Sequence, residues 1–263
     1  MNVLSDTKRL KARMNDLQAK LLFDRVIKPY KQTTDHNYYY KVEDKRNGVF
    51  LGHLPRATYM NFTTSLSFHS YSDDSPLLKA IFAVVPLEQW FASEIHIAFD
   101  FDQPYNQFHA VRPAKRADPE WRPSSLYLGG ASSSTRLYMY DKQLQMMEKR
   151  HVQSDTWTRV ELRCSFSPMK RISALTVEDF AAADQYMVFP DISLLPERIK
   201  CIVEQLNQNV LEWSEVHWKM KKKIREYATD QGLNLRSALL SNMGDIGAFI
   251  YSPSTEPLVI SMS

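Results

Sequence analysis

Glu94-Ile95-His96-Ile97-Ala98-Phe99-Asp100-Phe101-Asp102 is the stretch on which the fold turns. Side chains of an extended strand point alternately to its two faces. Ile95, Ile97, Phe99 and Phe101 therefore share one face, and His96, Ala98, Asp100 and Asp102 share the other. Two later segments repeat the pattern. In Arg136-Leu137-Tyr138-Met139-Tyr140-Asp141-Lys142, Leu137 and Met139 oppose Arg136, Tyr138, Tyr140 and Lys142. In Trp157-Thr158-Arg159-Val160-Glu161-Leu162-Arg163-Cys164, Val160, Leu162 and Cys164 oppose Trp157, Arg159, Glu161 and Arg163. One apolar and one polar face per strand is the signature of an antiparallel sheet packed on one side. Gly129-Gly130-Ala131-Ser132-Ser133 reads as a hairpin loop joining Ser125-Leu126-Tyr127-Leu128 to the second of these strands.

Upstream, residues 38–68 consist of short runs rich in Tyr, Val, Phe and Thr around turn signals such as Arg46-Asn47-Gly48, which predicts two or three antiparallel strands. Residues 77–90 predict a short helix interrupted by Pro86. Leu10, Met14, Leu17, Leu21 and Leu22 stand at helical spacing among Lys and Arg, so residues 8 to about 28 predict an amphipathic opening helix ended by Pro29. Beyond Pro168 the spacing turns helical over 177–186, 195–211 and 213–227; Gly232 breaks the pattern, and a short helix is predicted over 235–241. The last fifteen or so residues are turn-rich and predicted to be loosely held. The fold class is α+β: a mainly antiparallel, curved sheet carrying the functional face, with helices clustered toward the C-terminus. The predicted regions are an N-terminal helix (1–37), a sheet-rich core (38–166) and a helical part (167–263) that includes a basic helix at 213–227.

Length and composition set the bounds. A chain of 263 residues, 44% hydrophobic and 24% charged, buries a core without staples and is not disordered. Two cysteines, Cys164 and Cys201, exclude a disulfide framework and lack the companions of a zinc site. No apolar run approaches the ~20 residues that span a bilayer, and residues 1–20 carry charges where a signal peptide needs its apolar stretch. A cytoplasmic protein without a membrane partner is expected. The formal net charge of +3 does not by itself imply a polyanion partner. One run concentrates charge: Lys219-Met220-Lys221-Lys222-Lys223-Ile224-Arg225 holds five cations in seven residues, enough to follow a phosphate backbone or to form a solvated helix face.

If the three strands are neighbours, one surface displays Asp100, Asp102, Glu161, Tyr138, Tyr140, Arg136, Arg159, Arg163 and Lys142. Carboxylates are hard oxygen donors that suit Mg²⁺ or Mn²⁺ sharing a phosphate. Arg and Lys can hold the nonbridging oxygens of a phosphodiester, and a tyrosine hydroxyl becomes a nucleophile where cations lower its pKa. Each piece also has a structural reading. With thirteen tyrosines, any one is a packing residue by default, carboxylates at i and i+2 usually face solvent, and Glu161 between Arg159 and Arg163 can be a simple ion-pair ladder. His69, His96 and His109 are scattered without a His-x-His pair and read as structural; Ser132 to Ser134 have no His/Asp partners, and no phosphate-cradling Gly-rich loop is present.

At these residues the sequence resembles the trans-acting plasmid rolling-circle replication initiators, a family that includes relaxases of some conjugative elements. The resemblance lies in an ordered set: Ile97-Ala98-Phe99-Asp100-Phe101-Asp102, then Leu126-Tyr127-Leu128-Gly129, then Arg136 through Lys142, then Trp157-Thr158-Arg159-Val160-Glu161-Leu162. It covers roughly residues 93–166, with weaker agreement to about 227 through Trp213 and the Lys-rich run. The family commonly carries Arg-Leu-Asp where this chain has Glu94-Ile95-His96, and an arginine at Gly130-Ala131.

The resemblance implies an enzyme that nicks one strand of a double-stranded origin, stays attached to the 5′-phosphate through a tyrosine, and leaves a 3′-hydroxyl primer. Tyr140, which precedes Asp141-Lys142, takes the position of the nucleophile, and Tyr138 on the same face is its rival. Asp100, Asp102 and Glu161 are the metal candidates for Mg²⁺ or Mn²⁺; Arg136, Arg159 and Lys142 would steady the scissile phosphate. Lys219, Lys221, Lys222, Lys223 and Arg225 would contact the DNA backbone. A homodimer on a palindromic origin, a host helicase and the replication machinery are the implied partners, with origin duplex and nicked single strand as ligands. The alternatives are a conjugative relaxase with the same chemistry and a noncatalytic DNA-binding regulator.

Overall fold

The computed structural model describes residues 1–30, 32, 35–57, 61–113, 120–130, 133–151, 155–230 and 232–252. Along the chain lie β1 (Asn2–Ala12), α1 (Asp16–Leu22), β2 (Tyr38–Asp44), β3 (Val49–Pro55), β4 (Thr64–His69), α2 (Pro76–Val84), β5 (Phe91–Phe101), β6 (His109–Val111), β7 (Glu120–Arg122), β8 (Ser125–Leu128) and β9 (Thr135–Asp141). There follow α3 (Lys142–Arg150), β10 (Thr158–Arg171), β11 (Met187–Phe189), α4 (Glu197–Asn207), α5 (Trp218–Asp230), α6 (Leu235–Met243) and α7 (Ile246–Ile250); a π-helical turn (Phe23–Ile27) continues α1, and 3₁₀ segments lie between other elements. The fold is α+β on antiparallel sheet, as the alternation requires. No helix among the described residues is long and apolar enough to cross a membrane.

The chain forms two compact units, each discontinuous in sequence. The first comprises Met1–Leu4, His96–Ser165 and Thr176–Gly244; the second comprises Ser5–Ile95, Phe166–Leu175 and Asp245–Ser263.

In the first unit the strand order is β5-β10-β9-β8-β7, with β10–β9, β9–β8 and β8–β7 antiparallel. The three strands that define the polar face are thus neighbours. Their apolar side chains are buried: Ile97 and Phe99 on β5, Leu137 and Met139 on β9, Val160 and Leu162 on β10. A separate core collects Phe189, Ile199, Val203, Leu206, Trp213 and Ile224, where α4 and α5 pack with the β6–β11 ribbon. Within it the buried Asn207 carboxamide oxygen accepts a 3.0 Å bond from the Ala110 backbone N–H, satisfying a polar group that would otherwise be costly.

The second unit orders β2-β3-β4-β1-β5, with β2–β3, β3–β4 and β4–β1 antiparallel, which completes the strands expected over 38–68. α2 starts where Ser75 caps Leu78 and Pro76 occupies the first turn, and it ends before Pro86. Here the opening helix is corrected. Residues 2–12 are strand, pairing Thr7–Ala12 with Thr64–His69, and helix begins only at Asp16, where Asn15 and Gln18 form a reciprocal capping box. The strand pattern was hidden because Val3, Ser5 and Thr7 are buried, then Lys8, Leu10 and Ala12, so its alternation changes parity and enlists a lysine.

Smaller corrections concern the C-terminal third. β10 continues through Pro168 to Arg171, residues Val177–Gln185 form 3₁₀ turns, and a 3₁₀ turn at Trp213–Glu215 precedes α5. The short helix expected over 235–241 is α6, and α7 falls within the expected loose tail; residues 253–263 of that tail lie outside the described residues.

Lys8 carries a testable consequence. It is 1% exposed, with Nζ 5.0 Å from the Phe68 ring centroid. Burial lowers its pKa from 10.5 to about 8, against the opposing pull of Asp73 and Asp6. Because the folded pKa lies below the unfolded one, the unfolded chain binds more protons between these values, and stability rises as pH increases from about 8 to 10.5. The gain is about 3 kcal/mol. Urea denaturation is expected to show Lys8→Met more stable than the wild type at pH 7, with the gap closing above pH 8; a gap independent of pH would refute this account.

Candidate active site

Register places the polar residues in rows across β8, β9 and β10. Tyr138 is opposite both Tyr127 and Glu161; Tyr140 is opposite both Ser125 and Arg159; Arg136 is opposite Arg163. Directly opposed residues project to the same face, so Tyr127, Tyr138 and Glu161, and Ser125, Tyr140 and Arg159, form rows within the first unit.

Two buried charge clusters organise it. Arg159 grips Asp100 with both arms of its fork, Nε to Oδ1 at 2.6 Å and Nη2 to Oδ2 at 2.8 Å. Glu161 accepts from Arg163 Nε at 2.8 Å, lies 2.9 Å from His96 Nδ1 through the same Oε1, and receives the Tyr140 hydroxyl on Oε2 at 3.4 Å. Burial alone would raise the Glu161 pKa; the His96 hydrogen bond and the Arg163 charge overcome it and bring the carboxyl down to about 2. Glu161 is therefore ionised throughout the physiological range.

The tyrosines form a stack. The rings of Tyr127 and Tyr138 lie 4.0 Å apart, and those of Tyr138 and Tyr140 lie 4.4 Å apart. The Arg163 guanidinium sits 4.8 Å over Tyr138, and Lys142 Nζ lies 5.6 Å from the Tyr140 ring and 5.7 Å from Trp157. Burial, reinforced by a hydrogen bond with Tyr127, pushes the Tyr138 hydroxyl well above the ordinary phenol value, so it stays protonated. Tyr140 instead meets a carboxylate. It is also 4% exposed, more deeply covered than the half-buried Tyr138.

Lys142 opens α3. The Asp141 carboxylate caps that helix by accepting from the Leu144 N–H at 2.8 Å, and Lys142 Nζ donates to Gln145 Oε1 at 2.7 Å. Arg136 and Arg163 are register partners across β9 and β10, and the Arg163 charge is met by Glu161.

The predicted metal set does not converge. Asp100 has both oxygens committed to Arg159, Glu161 is committed to His96, Arg163 and Tyr140, and Asp102 lies beyond the end of β5, exposed. Among the described residues no group of three His, Cys, Asp or Glu side chains is arranged to hold an ion. In this arrangement the donor set does not fit Mg²⁺ or Mn²⁺, because the oxygen lone pairs already serve cationic side chains.

Three contributors escaped the sequence reading. His96 stands on the polar face by alternation, but its partner Glu161 is 65 residues away in the chain. Tyr127 and Ser125 reach the site only through the β8–β9 register. The basic run lies on α5, with Lys219, Lys222, Lys223 and Arg225 exposed; Lys221 is half-buried, donating from Nζ to the Ser214 carbonyl at 3.2 Å. Arg225 also lies 5.2 Å over the Trp213 ring.

Comparison with solved structures finds similarity to a rolling circle replication initiator protein from Geobacillus stearothermophilus, at 11% identity and a TM-score of 0.43, covering 87% of this chain and 97% of that one. No protein-family model matches the sequence, and no curated protein matches it.

Proposed function

We propose that this chain is a DNA strand transferase that initiates rolling-circle replication, with Tyr140 as its nucleophile. The observation that carries the reading is the Tyr140 hydroxyl set 3.4 Å from the ionised Glu161, on a sheet face that also presents Arg136, Arg163 and Lys142. In the proposed step the Tyr140 oxygen bonds to phosphorus and the P–O3′ bond breaks. The phenolic proton passes by way of Glu161 to the leaving O3′, which departs as a 3′-hydroxyl. Arg136 and Arg163 meet the nonbridging oxygens. Arg159, committed to Asp100, positions the strand that carries Glu161. The exposed cations of α5 contact phosphates, so binding should weaken steeply with salt. A homodimer on a palindromic origin and a host helicase belong to this reading as partners.

Burial of Tyr140 favours a second reading, a DNA-binding regulator that keeps the face but not the reaction. One assay separates the two. Supercoiled DNA from the protein's own replicon is incubated with the full chain in separate arms of Mg²⁺, Mn²⁺ and chelator, then resolved on a denaturing gel. A protein-linked 5′ end is expected; none in any arm would leave the regulator.

A further inference from the structure

We propose that Trp218, at the start of α5, stacks on an unpaired base of the bound strand, which makes the basic helix a reader of single-stranded rather than duplex nucleic acid. The inference deepens the DNA-acting reading above and rests on it for the identity of the ligand. Trp218 is 64% exposed although tryptophan carries a large apolar surface, while the neighbouring Trp213 is buried in the core.

Helical geometry explains why Trp218 faces outward. Ile224 is buried, and Met220, Tyr227 and Ala228 pack toward the same core, so the opposite side of α5 is the free one. Four-residue spacing aligns Trp218 with Lys222, and Lys219 with Lys223, in adjoining rows on that side. Lys219 Nζ lies 5.6 Å from the Trp218 ring centroid, and the His217 ring centroid is 5.9 Å from it. The acidic residue in the patch is Glu226, 3.8 Å from Lys222, an exposed pair of little energetic weight that still leaves the patch cationic.

An indole face flanked by cations matches a polynucleotide in both of its parts, a base to stack upon and a phosphate to neutralise. Bases in a duplex already have both faces covered by their neighbours. The indole therefore selects a strand whose bases are unpaired, such as the strand that nicking releases.

The test uses the full-length chain, a fluorescein-labelled short oligo(dT), and the duplex of that oligonucleotide with oligo(dA). Oligo(dT) is expected to quench tryptophan emission. Trp218→Ala should lose that quench and bind oligo(dT) roughly 5- to 150-fold more weakly, with duplex affinity unchanged and Trp218→Phe retaining most of the binding. Lys222→Gln with Lys223→Gln should weaken both ligands and flatten the salt dependence. Wild-type affinity for oligo(dT) in Trp218→Ala, or equal loss on both ligands, would overturn the proposal. Quench and oligo(dT) affinity are read without a nicking step, so a nicking reading that fails for want of an adduct leaves this result standing, and the reverse also holds.

Discussion

Tyr140→Phe is expected to abolish the protein-linked 5′ end completely, while Tyr138→Phe is expected to retain it. Both rings belong to one stack and differ by a single oxygen from phenylalanine, so both variants should fold; the loss of one hydrogen bond costs about 1 kcal/mol. What separates them is the environment of that oxygen. The Tyr138 hydroxyl is held protonated by burial and by its hydrogen bond with Tyr127, with the Glu161 charge acting in the same direction. The Tyr140 hydroxyl already points at Glu161. The measurement is a denaturing gel of end-labelled cognate DNA after incubation with each variant. An adduct that survives in Tyr140→Phe, or one lost only in Tyr138→Phe, would transfer the nucleophile to Tyr138.

Glu161→Ala is expected to be the most destabilising single substitution in the site. It removes the carboxylate from the buried His96 and from Arg163, and removing one partner from a buried ion pair costs about 3 kcal/mol or more. Glu161→Gln isolates the charge. The folded pKa of about 2 lies below the ordinary 4.5, so the contribution of the carboxylate is present above pH 4.5 and is lost as pH falls through 2. That contribution is about 3 kcal/mol, and more than half of it should be gone by pH 3. Urea denaturation of wild type and Glu161→Gln at pH 7 and pH 3 is the check: the lead of the wild type should shrink on acidification. A constant lead would mean that shape rather than charge is what Glu161 contributes. Adduct formation by Glu161→Gln, measured on the same DNA, should fall about 100-fold if Glu161 handles the proton.

The strand period was written in residues 94–102, 136–142 and 157–164, because alternation is a local property that each segment shows without reference to any other. Those patterns were enough to put Asp100, Tyr138, Tyr140, Arg159 and Glu161 on polar faces, and the structure joins β5, β10 and β9 as neighbours. Local spacing was not enough at the N-terminus. β1 is a strand because Thr64–His69 receive it, and Lys8 is buried because a tertiary core surrounds it; neither partner is near in sequence.

The same division runs through the site. By itself the sequence determined which residue types share a face, since the geometry of an extended chain leaves no alternative. Only the tertiary structure decided which charges meet: Asp100 with Arg159, and Glu161 with His96, Arg163 and Tyr140. Pairing depends on register between strands up to 65 residues apart, and register is set by hydrogen bonding and packing across the sheet rather than by any one strand. That is why carboxylates that read in sequence as ligands for a divalent ion are found holding arginines, and why a histidine that read as structural supports the carboxylate beside Tyr140.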